Sequence, residues 1–374
     1  MVPTGAQASV EPPARQGAYA LRSQTRWLAP SQRERGCGSL CVEHVDQEPA
    51  IQLKRVDGAP RARWLGLMTC GHIWTCPVCS QNLRAKRAER IAAAVRGMGG
   101  RWQMLTITLR HREGMPLHTL MVGLMSAWRR TRQGGRIQRL WSDAVTGSAR
   151  AVEVTHGENG WHPHVHVLLR TSEWTDDDKD ALLVRWQTAV RRELGGACTP
   201  SDERALTWSD PFDAADAGQR EFYLAKLGLE MSGIGKKSRG ASASRSHWDV
   251  ARDAAEGDSR SVWLWREFQA ATKGRRMLEL DDRASLAAKK QLESEAPDPR
   301  DDGEGKTTLI EVKRDDVRAL RRLEFRLPAI FAIVLQAAED EGPEGARTWI
   351  RYARDHAPVH RARVRDPVAR LDTG

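Results

Sequence analysis

No stretch of the chain approaches the ~20 consecutive apolar residues that a bilayer span requires. The longest apolar run, residues 329–335 (AIFAIVL), sits in a polar context. A membrane-spanning protein is excluded and no membrane partner is expected. The first 35 residues carry scattered charge and no apolar core of signal-peptide type, so a cytoplasmic location is expected. Acidic excess is also lacking: 59 Lys and Arg against 49 Asp and Glu give a formal charge of +10, which favours a polyanionic partner. There is no internal repeat. Cysteine is sparse, six in 374 residues, and tyrosine sparser at three. In a reducing setting, clustered cysteines read as metal ligands before they read as disulfides.

The length suits about two domains. Residues 1–36, rich in Pro, Gln, Ser and Arg without periodicity, predict a flexible basic arm. Leu83, Ala88, Ile91, Ala92 and Val95 form a helical stripe with Arg84, Arg87 and Arg90 outside it, ended by Gly97, Gly99 and Gly100. Residues 103–109 alternate as a strand. Leu117, Leu120, Met121, Leu124 and Trp128 mark a second helix, and residues 151–155 and 163–169 mark two strands joined through residues 156–160. Thr175 followed by three Asp caps a further helix. Helix is expected again over 220–230, 262–271 and most of 315–338. A mobile basic loop is expected over 236–246, an acidic linker over 294–306 and a strand over 307–312.

Cys76-Pro77-Val78-Cys79 is a knuckle in which two thiolates can share one tetrahedral zinc. Cys70 and Cys37 complete four ligands, with Cys41 and His72 competing for the place of Cys37. Four protein ligands leave no open position, so this zinc is expected to be structural. Cys198 stands alone.

The stretch Trp161-His162-Pro163-His164-Val165-His166 is the most informative in the chain. On a strand, His164 and His166 point to one face and Val165, Val167 and Leu169 to the other. The hairpin register sets Glu153 roughly opposite His164, and Glu158 in the turn is its rival as a carboxylate ligand. Two imidazoles and a carboxylate suit Mg²⁺ or Mn²⁺ acting on a phosphate. His162 would be a third imidazole, but Pro163 is expected to break the strand before it. Tyr223 lies one helical turn from Lys226, a cation that can assist a phenol whose ordinary pKa is about 10.

Taken together, these features resemble the HUH superfamily of single-strand endonucleases, and within it the plasmid rolling-circle replication initiators. The resemblance rests on the cysteines at 37, 70, 76 and 79, the Thr-bearing strand Leu105-Thr106-Ile107-Thr108-Leu109, the His-Pro-His-Val-His strand and the downstream Tyr223-Leu224-Ala225-Lys226. It runs from about Cys37 to Leu278. It implies an α+β fold with a five-stranded antiparallel HUH/RRM-like sheet flanked by helices on one side; the order expected along the chain is an N-terminal structural zinc element over 37–100, an endonuclease domain over 101–293 and, past the acidic linker, a small α/β module over 307–374. It also implies that His164, His166 and a carboxylate hold Mn²⁺ or Mg²⁺. Tyr223 would then attack a DNA phosphodiester to give a 5′-phosphotyrosyl enzyme and a free 3′-OH, with later rejoining. Glu221 is a candidate for activating water at termination.

The implied partners are origin DNA, single-stranded or supercoiled, a host polymerase and a host helicase. The helicase enters because Gly303-Glu304-Gly305-Lys306-Thr307-Thr308 only imitates a phosphate loop: Arg300 takes the first Gly position and no strand precedes it. Basic residues beside Trp128 and Trp186 could track phosphates and stack bases, but fourteen Trp across the chain favour a core role for most of them and a solvated face for such arginines. The competing functions are a transposase or relaxase of the same chemistry and a zinc-dependent DNA-binding regulator without catalysis.

Overall fold

A computed structural model describes residues 14–43, 47–56, 58–171, 174–220, 244–295 and 307–358. Its ten strands among these residues are β1 (Ala50–Val56), β2 (Ala59–Leu65), β3 (Arg101–Ile107), β4 (Val145–Gly157), β5 (Gly160–Thr171), β6 (Leu206–Trp208), β7 (Phe212–Asp213), β8 (Arg245–Ser246), β9 (Leu278–Leu280) and β10 (Thr307–Glu311). The chain divides into two compact units, Met1–Asn82 with Arg252–Asp258 and Pro297–Gly374, and Leu83–Ala251 with Ser259–Ala296. Among the described residues no helix is long and apolar enough to cross a membrane.

In the first unit β10, β1 and β2 form an antiparallel sheet in that order. Ala50 of β1 faces Leu65 of β2 on one side and Glu311 of β10 on the other. Residues 307–311 are therefore not part of a separate C-terminal module, as expected from sequence, but the third strand of an N-terminal sheet. The helical segment Ile330–His356, kinked at Gly342 (φ +68°), buries Ile330, Phe331, Val334 and Leu335, and Trp64 of β2 donates its indole N–H to the Phe331 carbonyl at 3.0 Å.

The expectation of a flexible arm over 1–36 also fails where the structure is described, because Ala14–Thr25 is a helix that buries Ala18, Tyr19 and Leu21. Its pattern is masked by Arg22, which sits on the buried face at 3% exposure. There its guanidinium donates to the Cys37 carbonyl and to the carboxylate of Glu324, which Arg26 also meets at 2.5 Å. A charge on an apolar face hides a helix from periodicity, and here a carboxylate some 300 positions downstream supplies its partner.

The second unit is built on an antiparallel sheet along the path β6-β3-β5-β4-β8, with β7 also on β3 and β9 also on β4. It has seven strands rather than the five the resemblance implied, yet it is five positions wide. One edge position is shared by β6, opposite residues 105–107, and β7, opposite 101–102; the other is shared by β8 and β9.

Both faces are covered, not one. On the first face Trp102, Met104, Ala149, Ala151 and Leu168 pack with Ile91 and Val95 of the helix Pro77–Met98. Ala93 and Ala94 of that helix pack in turn on Ala284 and Ala288 of the helix Asp282–Ser294. On the opposite face Trp161 meets Phe268 of the helix Ser259–Thr272 at 5.8 Å. Trp128 and Trp186, weighed above as base-stacking residues, are buried core. The capping box expected at Thr175 is present, with Asp178 as its partner.

Candidate functional site

β4 and β5 form a long hairpin that turns through Glu158 and Asn159, with Gly157 paired to Gly160. Gly160 has φ +79° and backbone of Glu113 within 3.2 Å of where a Cβ would lie, so both conformation and space require glycine there. From that turn the register counts back Trp161 to His156, Pro163 to Val154 and His164 to Glu153. Directly opposed side chains share a face, so Glu153, His164 and His166 meet.

His164 Nε2 lies 2.8 Å from Glu153 Oε2, and His166 Nε2 lies 3.5 Å from the same oxygen. All three donor atoms fall within 4.8 Å of one another. A six-coordinate Mg²⁺ or Mn²⁺ holds neighbouring ligands about 3 Å apart, so the trio fits one ion with positions to spare. His164 Nδ1 is buried without a hydrogen-bond partner among the described residues, the mark of a ring that protein groups alone do not satisfy. Thr106, opposite His166 on β3, places its hydroxyl 3.0 Å from His166 Nδ1 and fixes that ring with Nε2 toward Glu153. Glu158 is exposed at the turn.

Pro163 does not break β5. β3 ends at Ile107 opposite Val165, so beyond that point β5 has β4 as its only neighbour toward the turn, and a missing N–H is tolerated at such an edge. His162 therefore shares the face of His164, with ring centroids 5.1 Å apart, and its Nδ1 lies 3.0 Å from Nε2 of His111. Sequence reasoning missed Thr106 and His111 as neighbours of this site. The signal for Thr106 was its alternation within β3; His111 lies past the strand end and had none.

On the other face of the hairpin, His156 is 6% exposed and packs edge-on against Trp161. Burial, and then the nearby cations Arg245 and Arg260, push its pKa down to about 4 from 6.5. A depressed folded-state pKa gives stability that is complete above the unfolded value near 6.5 and is lost as pH falls toward 4. Urea midpoints at pH 7 and pH 4.5 should therefore show His156→Gln losing about 1–3 kcal/mol less than wild type on acidification. Equal acid losses in the two proteins would refute the assignment.

A second group lies in the first unit. Sγ of Cys37 is 3.4 Å from Cys79 and 3.6 Å from Cys76, and Cys70 is 3.7 Å from Cys79. Four sulfurs at ~2.3 Å from one tetrahedral zinc stand about 3.8 Å apart, close to these separations. Cys41 is outside the cluster, bridged to Leu67 through the backbone. His72 turns away too: its Nδ1 lies 2.5 Å from Oε1 of buried Glu34, which also accepts from the Thr75 hydroxyl at 2.7 Å. Glu34 thus braces the loop between Cys70 and Cys76, a role that its place in a basic stretch did not reveal.

Tyr223, Lys226 and Glu221 lie outside the described residues, as does most of the expected loop 236–246; Arg245 and Ser246 form β8.

Residues 66–183, which contain both strands of the hairpin, match the family described as replication protein. A "Protein rep" of Streptomyces lividans is 30% identical over 285 residues, covering 58% of this chain and 62% of that protein. A "Protein rep" of Bacillus amyloliquefaciens is 29% identical over 170 residues, covering 41% and 47%. A "Neomycin resistance protein" of Streptomyces cyanogenus is 31% identical over 175 residues, covering 39% and 38%. The chain thus spans about six tenths of one of these relatives and less than half of the other two. No solved structure matches. The description of the matching family agrees with the resemblance carried by the sequence motifs.

Proposed function

We propose that this chain, similar along its hairpin region to replication proteins, is a plasmid rolling-circle replication initiator that nicks and rejoins one strand of origin DNA. The observation that carries the reading is the convergence of Glu153, His164 and His166 within the stretch 66–183 that matches the family. Those three side chains would hold Mn²⁺ or Mg²⁺. When bound, the ion supplies Lewis-acid polarisation of a phosphodiester oxygen.

The protein's own groups do the rest. The Tyr223 hydroxyl attacks phosphorus, the bond to the 3′-oxygen breaks, and that oxygen leaves as the 3′-OH a host polymerase extends. Lys226 stabilises the phenolate, and Glu221 activates water in the terminating step. The covalent link conserves the phosphodiester for rejoining. Cys37, Cys70, Cys76 and Cys79 hold a structural zinc. Unwinding falls to a host helicase, and the work takes place in the cytoplasm.

Supercoiled plasmid bearing a candidate origin, incubated with protein and Mn²⁺, should yield open circles with protein covalently attached. Binding without any cutting would favour a non-catalytic regulator instead. Loss of one ligand should be felt at the metal first: His166→Ala and Glu153→Gln are expected to weaken Mn²⁺ binding about 100-fold or more by calorimetry. Nicking should fall with it by about 10³, the equivalent of several kcal/mol of lost charge stabilisation. Unchanged Mn²⁺ affinity in both variants would remove these residues from the centre.

A further inference from the structure

A buried cation accompanies the Glu153–His164–His166 centre. In the helix Pro77–Met98, positions 84, 88, 91 and 95 share one face, and Ala88, Ile91 and Val95 of that face pack onto the sheet against Met104, Ala149, Ala151 and Leu168. Farther along the same strands, this sheet face carries Thr106, His166, Glu153 and His164. Arg84, one turn before Ala88, is thus not on the solvent side that its sequence pattern suggested; it is 5% exposed.

The guanidinium is poorly satisfied for so buried a charge. Nη2 reaches His247 Nε2 at 3.4 Å, and the group lies 6.0 Å from the Trp248 ring. Nε and Nη1 are buried with no hydrogen-bond partner among the described residues. Burial pushes the pKa down to about 9, and the one charge opposing that fall is the Glu153 carboxylate. Leaving charged donors unmet in an interior costs more than most folds tolerate without a ligand.

Glu153 cannot serve Arg84 and a metal ion equally. With a divalent ion bound, the ion, Glu153 and Arg84 together carry a net charge of about +2, because the ion contributes two positive charges and the carboxylate only one negative. That excess of positive charge calls for an anion with several acceptor oxygens.

We propose that Arg84 binds the scissile phosphodiester: its unpartnered Nε and Nη1 donors hold one non-bridging oxygen while the metal ligands address the other side of the same phosphate. This rests on reading the centre as a phosphodiester-cutting site. Arg84 stabilises charge that grows on those oxygens as the bond to the 3′-oxygen breaks, and no proton passes through it. His247 is a positioning residue that steadies the guanidinium.

The test uses the full chain loaded with Mn²⁺ and titrated with inorganic phosphate, followed through the ³¹P relaxation that bound Mn²⁺ imposes. Arg84→Met is expected to weaken phosphate at least tenfold and Arg84→Lys several-fold, with Mn²⁺ affinity not reduced, because a cation that competes for Glu153 is removed. The titration involves no nicking, so failure of the nucleophile assignment leaves this result standing. Removing an unmet charge should also raise the melting temperature of Arg84→Met by about 2–4 °C, whereas a purely structural arginine would lower it. Phosphate affinity equal to wild type in Arg84→Lys and Arg84→Met overturns the role of Arg84 and leaves the metal centre intact. Wild-type protein that binds no Mn²⁺ overturns both.

Discussion

Tyr223→Phe should leave supercoiled plasmid uncut and abolish the covalent protein–DNA adduct, a fall of at least about 10⁴ in nicking rate, while plasmid binding persists. The expectation comes partly by elimination. The chain has three tyrosines. Tyr19 is 9% exposed in the helix Ala14–Thr25, where burial raises its pKa to about 12. Its hydroxyl is both enclosed and harder to ionise than a free phenol. Tyr352 stacks on His356 at 4.1 Å and meets Trp349 edge-on in the long C-terminal helix. Neither environment suits a nucleophile that must meet a phosphate. Tyr223 alone has a lysine one turn away in the sequence. If the phenol oxygen forms the new bond to phosphorus, as proposed, its removal deletes a step, whereas Lys226→Met should cost only about 10–100-fold. An adduct of wild-type yield in Tyr223→Phe, mapped to another residue, would end the assignment.

How much of this could be read from sequence depends on whether the deciding interaction is local. The β4–β5 hairpin could be read because alternation and a turn of fixed length set its register, and register alone brings Glu153 to His164. The cysteine knuckle was legible for the same reason, two ligands being three residues apart. Where a distant partner decides, reading failed. The helix Ala14–Thr25 depends on Glu324 to neutralise Arg22, and β10 finds its place only against β1. The β1–β2 hairpin lacks clean alternation, since β2 buries only Ala62 below the exposed or half-buried rest. The edge strands β6 to β9 are two or three residues long, too short for any period to show. Pro163 misled because the rule against proline holds for strands with two neighbours, and this end of β5 has one on the side that matters.

Replacing Cys76 and Cys79 by Ser should remove one equivalent of zinc by metal analysis and abolish cooperative folding of the unit that contains them. Four buried thiols this close repel one another once ionised: the hydrogen bond to Cys37 and burial hold Cys70 and Cys76 protonated, while Cys37 and Cys79 are pulled toward thiolate by the bonds they accept. A divalent cation resolves the conflict by taking all four as thiolates. Structural zinc contributes about 10–16 kcal/mol of apparent binding energy at neutral pH, as much as the 5–15 kcal/mol total stability of an ordinary domain. The site is also wired into the unit: Arg22 of the first helix donates to the Cys37 carbonyl, and Glu34 braces the loop through His72 and Thr75. Chelation should therefore unfold this unit, with an acid-sensitive onset because ligation needs the thiolates. Cys41→Ser, outside the cluster, should keep both metal and fold. If the double Cys variant retained its melting transition and its zinc, the four sulfurs would be a close-packed cluster and nothing more.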